Sequence, residues 1–512
     1  MPFLKSLPPL CIALGFADPD KLLQQACKEA EAGETFLEFR LDHLRQPKAG
    51  VEAVREFLAM HSDCVVLATC RRRQNQGRFN GSVDEQVRLL EAVAAAGAKA
   101  VDLEIESAES APAALAHLRT VGPVIVSYHN FEATPALDAV VRRMHRCPAD
   151  AYKIVTTARK PSDIARLLGL LKPHAKTPII VFSMGEIGFA SRVLSPLHGG
   201  LFTYAAPSTA EATAPGQVSA HVMRHLYRFG KLSRTSKVYG VIADPVGHSI
   251  SPAVHNRAFQ ARRIDAVYLP FLVPSLYLKD FMTLAADLPV AGFSVTIPHK
   301  QKILRFLDAV DPVARRIGAV NTVWRKAGRW RGLNADADAV VTPLSRHLRL
   351  AKSSVLLVGN GGAARSAAFA LADAGSLLSI VGRNPDRVRV LAKACGAEPL
   401  LREQLPKLHF DAVVHATSLG MHPHTGECFF PDRIPADVVF DLVYNPAETL
   451  LIERAREQRK TVIPGLQMFL EQAARQFETW TGESAPRAVM ERAAREALGV
   501  ARFNLQGGPA GR

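Results

Sequence analysis

Two lysines stand where the spacing of neighbouring residues brings chemistry within reach. Lys153 falls in the apolar run Ala151–Val155, and His129 precedes it in Ser127-Tyr128-His129-Asn130-Phe131. A lysine withdrawn from water beside cationic neighbours loses its proton more readily and can attack a ketone to form a Schiff base. A histidine at hand can then carry protons, and Arg40, Arg71 and Arg192 can neutralise a carboxylate. Singly, these residues fit structural roles; their convergence on one face favours chemistry. Lys300 ends Val295-Thr296-Ile297-Pro298-His299-Lys300. With it come Gly247-His248-Ser249-Ile250-Ser251-Pro252, Gly318-Ala319-Val320-Asn321-Thr322 and Gly332-Leu333-Asn334-Ala335-Asp336. Hydroxyls, a lysine, an amide and a carboxylate offered from turns and strand ends suit a small ligand bearing a carboxylate and several hydroxyls.

A third group addresses a nucleotide. The run Val355–Val358 leads into Gly359-Asn360-Gly361-Gly362-Ala363-Ala364-Arg365 and a helical pattern from Ser366 to Ala374. Such a turn lets backbone approach a pyrophosphate, and the helix N-terminus supplies N–H groups. The next apolar run, Leu377–Val381, ends in Gly382-Arg383-Asn384-Pro385-Asp386-Arg387. An acidic residue there would receive the ribose hydroxyls of NAD; Arg383 and Arg387 instead suit the extra phosphate of NADP.

The elements that must hold these groups are α/β throughout. Predicted strands at Leu10–Leu14, Phe36–Arg40, Val65–Thr69, Ala100–Glu104, Val124–Ser127, Ala151–Val155, Ile179–Phe182 and Leu201–Tyr204 alternate with helices such as Asp20–Ala32, Val83–Ala96 and Pro161–Leu171. That alternation implies parallel pairing and, from its count, a closed (β/α)8 TIM barrel. Glu38, Arg40, Arg71, His129, Lys153 and Arg192 fall at or just beyond strand C-termini, the active face of such a barrel. After a basic join at Arg228–Ser236, strands at Val238–Ile242, Ala266–Pro270 and Gly292–Val295 open a second α/β region, and Leu466–Leu498 reads as helical. The expected domains are 1–228, a substrate-binding domain 237–338 completed by helices within 466–500, and a Rossmann domain 339–465. The tail 506–512 is expected to be disordered.

Bulk properties agree with soluble enzymes of small anions. The net charge of +15 is spread along the chain without a nucleic-acid motif, so it suits carboxylates and phosphates. The seven cysteines include no CxxC pair, which argues for reduced thiols and against a metal site. No apolar run reaches the ~18 residues that cross a bilayer. Met1–Leu10 leaves no room for a leader before the first strand, so a cytoplasmic location without membrane or nucleic-acid partners is expected.

From Tyr239 to about Leu498 the ordered motifs closely resemble shikimate dehydrogenases. The match includes His415-Ala416-Thr417-Ser418-Leu419-Gly420-Met421, Asp441-Leu442-Val443-Tyr444-Asn445-Pro446, Gly465-Leu466-Gln467-Met468 and Gln472-Ala473. The resemblance implies that Ser249 and Ser251 bind the substrate carboxylate, with Thr296, Asn321, Tyr444 and Gln472 around the ring. Lys300 and Asp336 would be the catalytic pair, and Gly359, Gly361, Gly362, Ala363, Arg383, Asn384, Arg387, Thr417 and Gly465 would hold NADP. Hydride transfer to a ketone builds negative charge on oxygen, which an ammonium can stabilise and protonate while a carboxylate orients it. Against the family pattern, Ser294 and His415 replace asparagines, Ala335 a threonine and Ala339 a glycine.

Residues ~8–225 resemble type I 3-dehydroquinate dehydratases in Glu38-Phe39-Arg40-Leu41-Asp42, Thr69-Cys70-Arg71, Asp102-Leu103-Glu104, Tyr152-Lys153-Ile154, Ser191-Arg192 and Ala214-Pro215-Gly216-Gln217. By that resemblance Lys153 forms the Schiff base and His129 moves the protons. Glu38, Arg40, Arg71, Arg192, Thr213 and Gln217 would hold the substrate, with Thr213 where a serine is usual. Asn75 stands where a glutamate is expected to position the histidine. The two resemblances are consecutive: 3-dehydroquinate to 3-dehydroshikimate, then NADPH-dependent reduction to shikimate. Rival expectations are oxidation of quinate or shikimate with NAD, and a barrel of impaired activity.

Overall fold

The computed structural model describes residues 4, 6–172, 177–207 and 216–506, with side chains through residue 499. The chain packs as two compact units. The first holds the residues up to Ser236 together with Phe271–Val273 and Lys279–Leu288; the second holds Lys237–Pro270, Pro274–Leu278 and the chain from Pro289.

The first unit is a parallel barrel. Its strands are β1 (Leu10–Leu14), β2 (Phe36–Arg40), β3 (Val65–Thr69), β4 (Ala100–Glu104), β5 (Val124–His129), β6 (Ala151–Thr157), β7 (Ile179–Met184) and β8 (Thr203–Ala205). Neighbours pair in the order β7-β6-β5-β4-β3-β2-β1-β8, and the Leu201 N–H donates to the Ile179 carbonyl at 2.9 Å across the seam. Strands buried on both faces need continuous apolar runs, as in the Val-Val-Leu-Ala-Thr of β3. Their connecting helices start on local signals. Asp18 caps Pro19–Glu31 through the amides of Asp20 and Lys21, and Ser82 with Glu85 forms a reciprocal capping box on Val83–Ala95.

Three strands run two residues beyond the sequence expectation, because the ladder continues through polar strand ends. His129 pairs with Val155, and Thr156 and Thr157 with Ser183 and Met184. His129 therefore sits on β5 itself. Arg192 corrects the expectation in the other sense: it lies within the helix Gly185–Leu197 rather than at a strand end, and its guanidinium reaches back to 4.6 Å from the Phe182 ring of β7.

The second unit carries two sheets. One contains β9 (Lys237–Ala243), β10 (Ala266–Leu272), β11 (Val290–Val295), β12 (Ala309–Val310), β13 (Thr322–Lys326) and β14 (Arg329–Leu333), ordered β10-β9-β11-β13-β14-β12. Pro270 is tolerated because β10 is an edge strand. The antiparallel β13–β14 hairpin was not among the expected strands, since its sequence is polar and basic. It turns on Ala327 and Gly328, both at positive φ (51° and 76°), as a tight two-residue turn requires. The C-terminal helices are Gly465–Thr481 and Arg487–Gln506, the first ending at Gly482 with φ of 75°. Of the tail 506–512 expected to be disordered, Gln506 closes the second of these helices and 507–512 lie outside the described residues.

The other sheet is wholly parallel: β15 (Ser354–Val358), β16 (Leu377–Val381), β17 (Glu398–Pro399), β18 (Phe410–His415), β19 (Ala436–Asp441) and β20 (Thr461–Ile463), ordered β17-β16-β15-β18-β19-β20. This doubly wound order reverses between β15 and β18, the place where such sheets take dinucleotides.

Candidate active sites

The first site lies at the C-terminal ends of the barrel strands. Lys153 on β6 is 3% exposed. Its Nζ donates to Asp102 Oδ2 at 2.8 Å and to the Tyr204 hydroxyl at 3.0 Å, and Glu38 Oε1 is 3.7 Å away. The expected cationic surroundings are therefore corrected: the amine is held by two carboxylates and a phenol. Those acids are tied down in turn, Asp102 by the Ser127 hydroxyl at 2.6 Å and Glu38 by Thr69 at 2.7 Å. Burial works to raise the Asp102 carboxyl, but Lys153 and Arg71 hold it below the usual carboxylate range.

The cations gather instead around His129, whose Nε2 lies 2.9 Å from an Arg71 terminal nitrogen. A guanidinium only donates, so Nε2 is the bare nitrogen. Burial, then Arg71, Lys153 and Arg40, push the ring well below the ordinary histidine pKa, leaving a neutral base. Arg71 Nε is buried without a hydrogen-bond partner, which leaves a donor for an incoming anion. Burial lowers Arg192 to about 10. Arg40 is turned into Asp42, to which it makes two 2.9 Å hydrogen bonds. His129 opens onto a cavity of about 240 Å³ lined also by Asn75, Gln76, Glu104 and Asn130. The Asn75 amide nitrogen there is buried without a partner. Gln217 is half-buried; Thr213 lies outside the described residues.

The second site is built in the second unit. Lys300 Nζ donates to Asp336 Oδ2 at 2.5 Å. The Asn321 amide holds the other oxygen of Asp336 at 2.7 Å and contacts Gln472 Oε1 at 3.2 Å. Asp336 is placed by Asn334, whose amide oxygen accepts the Asp336 N–H at 3.0 Å while its nitrogen donates to the Ala319 carbonyl at 2.9 Å. Ser249 hydrogen-bonds Tyr444, which burial raises to about 12, and Ser251 hydrogen-bonds Tyr268, likewise raised by burial. Thr296 stands partly buried just after β11.

The glycine turn joins this site to the parallel sheet. Gly359 has φ of 125°, and a Cβ there would meet the Ala416 carbonyl at 2.7 Å. A Cβ on Gly362, first residue of the helix Gly362–Asp373, would meet the Lys300 side chain at 3.3 Å. Gly361 caps that helix, Ala363 lies in its first turn, and Gly465 could carry no side chain beside the Val443 carbonyl, 2.3 Å from an added Cβ. Gly359 and Gly465 are thus pressed against the chain's own backbone, while the space before the helix at Gly361, where an added Cβ would meet nothing within 4 Å, fits a pyrophosphate on the backbone N–H groups of the helix N-terminus. Arg383 and Arg387 are exposed beyond β16. Asn384 is the helix cap, accepting the Arg387 N–H at 3.1 Å.

Several working residues had no role from the sequence. Asp102, inside an apolar strand, was the signal for a partner to Lys153. Tyr204 gave none. Ser294 accepts the Tyr268 hydroxyl at 2.7 Å and donates to Gln476 at 2.8 Å. Gln476 in turn donates to the Asn321 carbonyl at 3.1 Å. Among the described residues no His/Cys/Asp/Glu group is arranged for a metal, and no helix is long and apolar enough to cross a membrane.

Comparison with known proteins matches consecutive stretches of the chain to known families. The family described as Type I 3-dehydroquinase matches residues 10–234. The Shikimate dehydrogenase substrate binding domain matches 241–323, and the Shikimate 5'-dehydrogenase C-terminal domain matches 465–495. A chloroplastic bifunctional 3-dehydroquinate dehydratase/shikimate dehydrogenase from Arabidopsis thaliana is 33% identical over 506 residues, covering 94% of this chain and 83% of that protein. A shikimate dehydrogenase (NADP(+)) from Bacillus cereus (strain G9842) is 39% identical, covering 48% of this chain and 93% of its own length. A shikimate dehydrogenase solved in complex with NADP+ superposes with a TM-score of 0.50 at 33% identity, covering 52% of this chain and 97% of that one.

Proposed function

The chain belongs to the family of bifunctional 3-dehydroquinate dehydratase/shikimate dehydrogenases, and we propose on that premise how its two sites divide the work. The barrel dehydrates 3-dehydroquinate to 3-dehydroshikimate, and the second unit reduces 3-dehydroshikimate to shikimate. The observation that carries this reading is the pairing of Lys153, buried against Asp102 with the neutral His129 in the same strand-end site, with a separate Lys300–Asp336 couple beside a glycine turn.

In the barrel, Nζ of Lys153, held by Asp102, Glu38 and Tyr204, adds to the ketone carbon while one ammonium proton passes to the ketone oxygen, giving a protonated carbinolamine. Loss of water leaves a protonated Schiff base. His129 Nε2 removes a proton alpha to that centre, electrons move into the iminium, and the hydroxyl beta to it leaves, taking the proton from His129 as water. Hydrolysis returns Lys153 and releases 3-dehydroshikimate. Arg71, Arg192, Glu38, Arg40, Gln217 and Thr213 hold the substrate, with the spare Arg71 Nε supporting a role at its carboxylate.

In the second unit Ser249 and Ser251 hold the substrate carboxylate, and Thr296, Asn321, Tyr444 and Gln472 the ring. NADPH, when bound, supplies a hydride. Lys300 stabilises the negative charge that grows on the ketone oxygen and delivers its proton, while Asp336 aims the ammonium. Arg383 and Arg387 support NADP over NAD, since no carboxylate stands there to receive ribose hydroxyls. Gly359, Gly361, Gly362, Ala363, Asn384, Thr417 and Gly465 form the rest of its bed. The seven free cysteines support a reducing compartment, the cytoplasm.

The test is a coupled assay on the full chain: 3-dehydroquinate and NADPH in, shikimate out. We expect shikimate from the native enzyme, accumulation of 3-dehydroshikimate with Lys300→Ala, and no consumption of 3-dehydroquinate with Lys153→Ala. Turnover of quinate with NAD in preference to shikimate with NADP would overturn the reading.

A further inference from the structure

Two consecutive residues of the helix Gly362–Asp373 reach toward the two halves of the Lys300–Asp336 couple, and neither has a part in the steps above. Ser366 is the one hydroxyl of that helix and is fully buried. It donates to the Gly362 carbonyl at 3.1 Å, so its oxygen is left to accept, and Asn334 Nδ2 donates to it at 2.9 Å. Its neighbour Arg365 donates from Nε to the Ile317 carbonyl at 2.9 Å. Three residues beyond Ile317, the Val320 N–H donates to the Lys300 carbonyl at 2.8 Å. Gly362 lies one turn before Ser366 on the same helix face, and a Cβ there would come within 3.3 Å of the Lys300 side chain.

The Asn334 amide has no hydrogen-bonding capacity to spare. A primary amide offers two N–H donors and two acceptor positions. One N–H goes to the Ala319 carbonyl at 2.9 Å and the other to Ser366. The oxygen accepts the N–H groups of Asp336 at 3.0 Å and Ala337 at 3.3 Å, the first two residues of the helix Asp336–Leu344. The sense of the amide is fixed, because the Ala319 carbonyl only accepts and the two backbone N–H groups only donate. Asn334 is 7% exposed. Without the Ser366 hydroxyl, a buried N–H is left unpaired and the amide plane loses one of the four contacts that hold it. A turned amide shifts the backbone N–H groups that place Asp336.

Resting on the reading of Lys300 and Asp336 as the pair that serves the ketone oxygen, we infer that Ser366 is a positioning residue for the reduction, setting through Asn334 where Asp336 stands beside Lys300. The same helical turn fixes the Lys300 end through Gly362 and, by way of Ile317–Val320, through Arg365. One rigid element thereby sets the separation of ammonium and carboxylate.

The test is steady-state reduction of 3-dehydroshikimate by the full chain, in a double-mutant cycle of Ser366→Ala and Asp336→Asn. Rates are taken per NADPH-binding site, counted by fluorescence titration, so that unfolded protein does not enter kcat. Ser366→Ala should lower kcat about tenfold, on the scale of a sub-ångström misplacement, and leave KM for 3-dehydroshikimate and for NADPH within about twofold. In the Asp336→Asn background the same substitution should change kcat by less than about twofold, because the carboxylate it positions is gone. Dehydration of 3-dehydroquinate by the same samples should stay at the native rate. A tenfold loss in both backgrounds would show Ser366 serving the fold at large and would overturn the proposal. So would a native kcat with Ser366→Ala, a loss carried by KM alone, or a Ser366→Ala protein that binds no NADPH. A Lys300→Ala enzyme that reduces 3-dehydroshikimate at the native rate would remove the couple first, and this inference with it.

Discussion

The two lysines proposed for catalysis keep different company, and the difference follows from what each would have to do. Lys153 is sealed in the barrel, 3% exposed, between Asp102, Glu38 and Tyr204. A nucleophile must be aimed at its carbon inside a dry site, and three polar partners fix where the amine stands. The Lys300 side chain is 13% exposed and has one partner, Asp336, itself clamped by Asn321. An acid must keep its proton until the ketone oxygen needs it, and a single aimed carboxylate suits that. The histidines invert the pattern. His129 is hydrogen-bonded by an arginine, with Asn75 where the resemblance leads one to expect glutamate; His415 is held between a carboxylate and a hydroxyl. Both histidines thus stand where the resemblance leads to another expectation, glutamate at position 75 beside the first and asparagine in place of the second.

The largest effects should come from breaking the lysines separately. Lys153→Ala removes the covalent route and should leave no measurable dehydratase, with dehydrogenase kcat within about twofold of native. Lys300→Ala should lower reduction of 3-dehydroshikimate by roughly 10²–10⁴-fold and leave dehydration untouched. A Lys153→Ala enzyme that lost both activities would show that the two sites are not independent.

A smaller contrast lies in the arginines. Arg71 and Arg192 are buried, 7% and 1% exposed, whereas Arg383 and Arg387 are open to solvent. Salt screens exposed charges far more than buried ones. Raising ionic strength from 0.05 to about 0.5 M should therefore raise KM for NADPH several-fold and that for 3-dehydroquinate much less. Replacing both Arg383 and Arg387 by alanine should reduce the NADPH-over-NADH preference by roughly 10–100-fold, on the scale of one or two charge-assisted hydrogen bonds. Equal salt sensitivity of the two substrates would erase the contrast.

Next comes the missing carboxylate. Burial and three nearby cations hold His129 well below the ordinary value near 6.5, so the ring stays neutral through mildly acidic pH. Dehydratase kcat/KM should accordingly hold down to pH values below ~6. Asn75→Glu would favour the imidazolium and should move the acid limb upward by about one pH unit. An acid limb that does not move in a profile from pH 4.5 to 8 would show that position 75 does not sense the histidine.

What the sequence made legible follows the same physics. The barrel strands were readable because parallel strands covered on both faces need unbroken apolar runs. The glycine turn was readable because Gly359 and Gly362 answer to backbone and to Lys300. Strand ends were shortened at Thr156 and Thr157 because polar residues continue a ladder that composition cannot see. The β13–β14 hairpin was missed for a related reason, its Arg325, Lys326, Arg329 and Arg331 masking a register set by Ala327 and Gly328. The surroundings of Lys153 were read with the wrong sign. Arg40 looked available, but two residues away Asp42 takes it up, and Asp102 and Tyr204 arrive from strands distant in sequence.

The smallest expected effect tests whether the second site reaches beyond its own charges. Ser294 links the Tyr268 hydroxyl to Gln476, which donates to the carbonyl of Asn321, the residue that clamps Asp336. Every member of that relay outside Asp336 is neutral, so its influence should be geometric and independent of pH. Ser294→Ala takes one hydrogen bond from the buried Tyr268 phenol, which keeps Ser251, and one from Gln476, which costs about 1–2 kcal/mol in the second unit and should lower its thermal midpoint. Lys300 and Asp336 keep their 2.5 Å contact, so kcat for reduction should stay within about twofold. The Tyr268 hydroxyl also meets Ser251, so its released rotor should disturb the carboxylate end and raise KM for shikimate about threefold. Ser294→Thr keeps the hydroxyl and should restore KM. If Ser294→Ala lowered kcat and left KM alone, the relay would be acting on the Lys300–Asp336 pair instead, and the separation of binding groups from proton-moving groups within this site would fail.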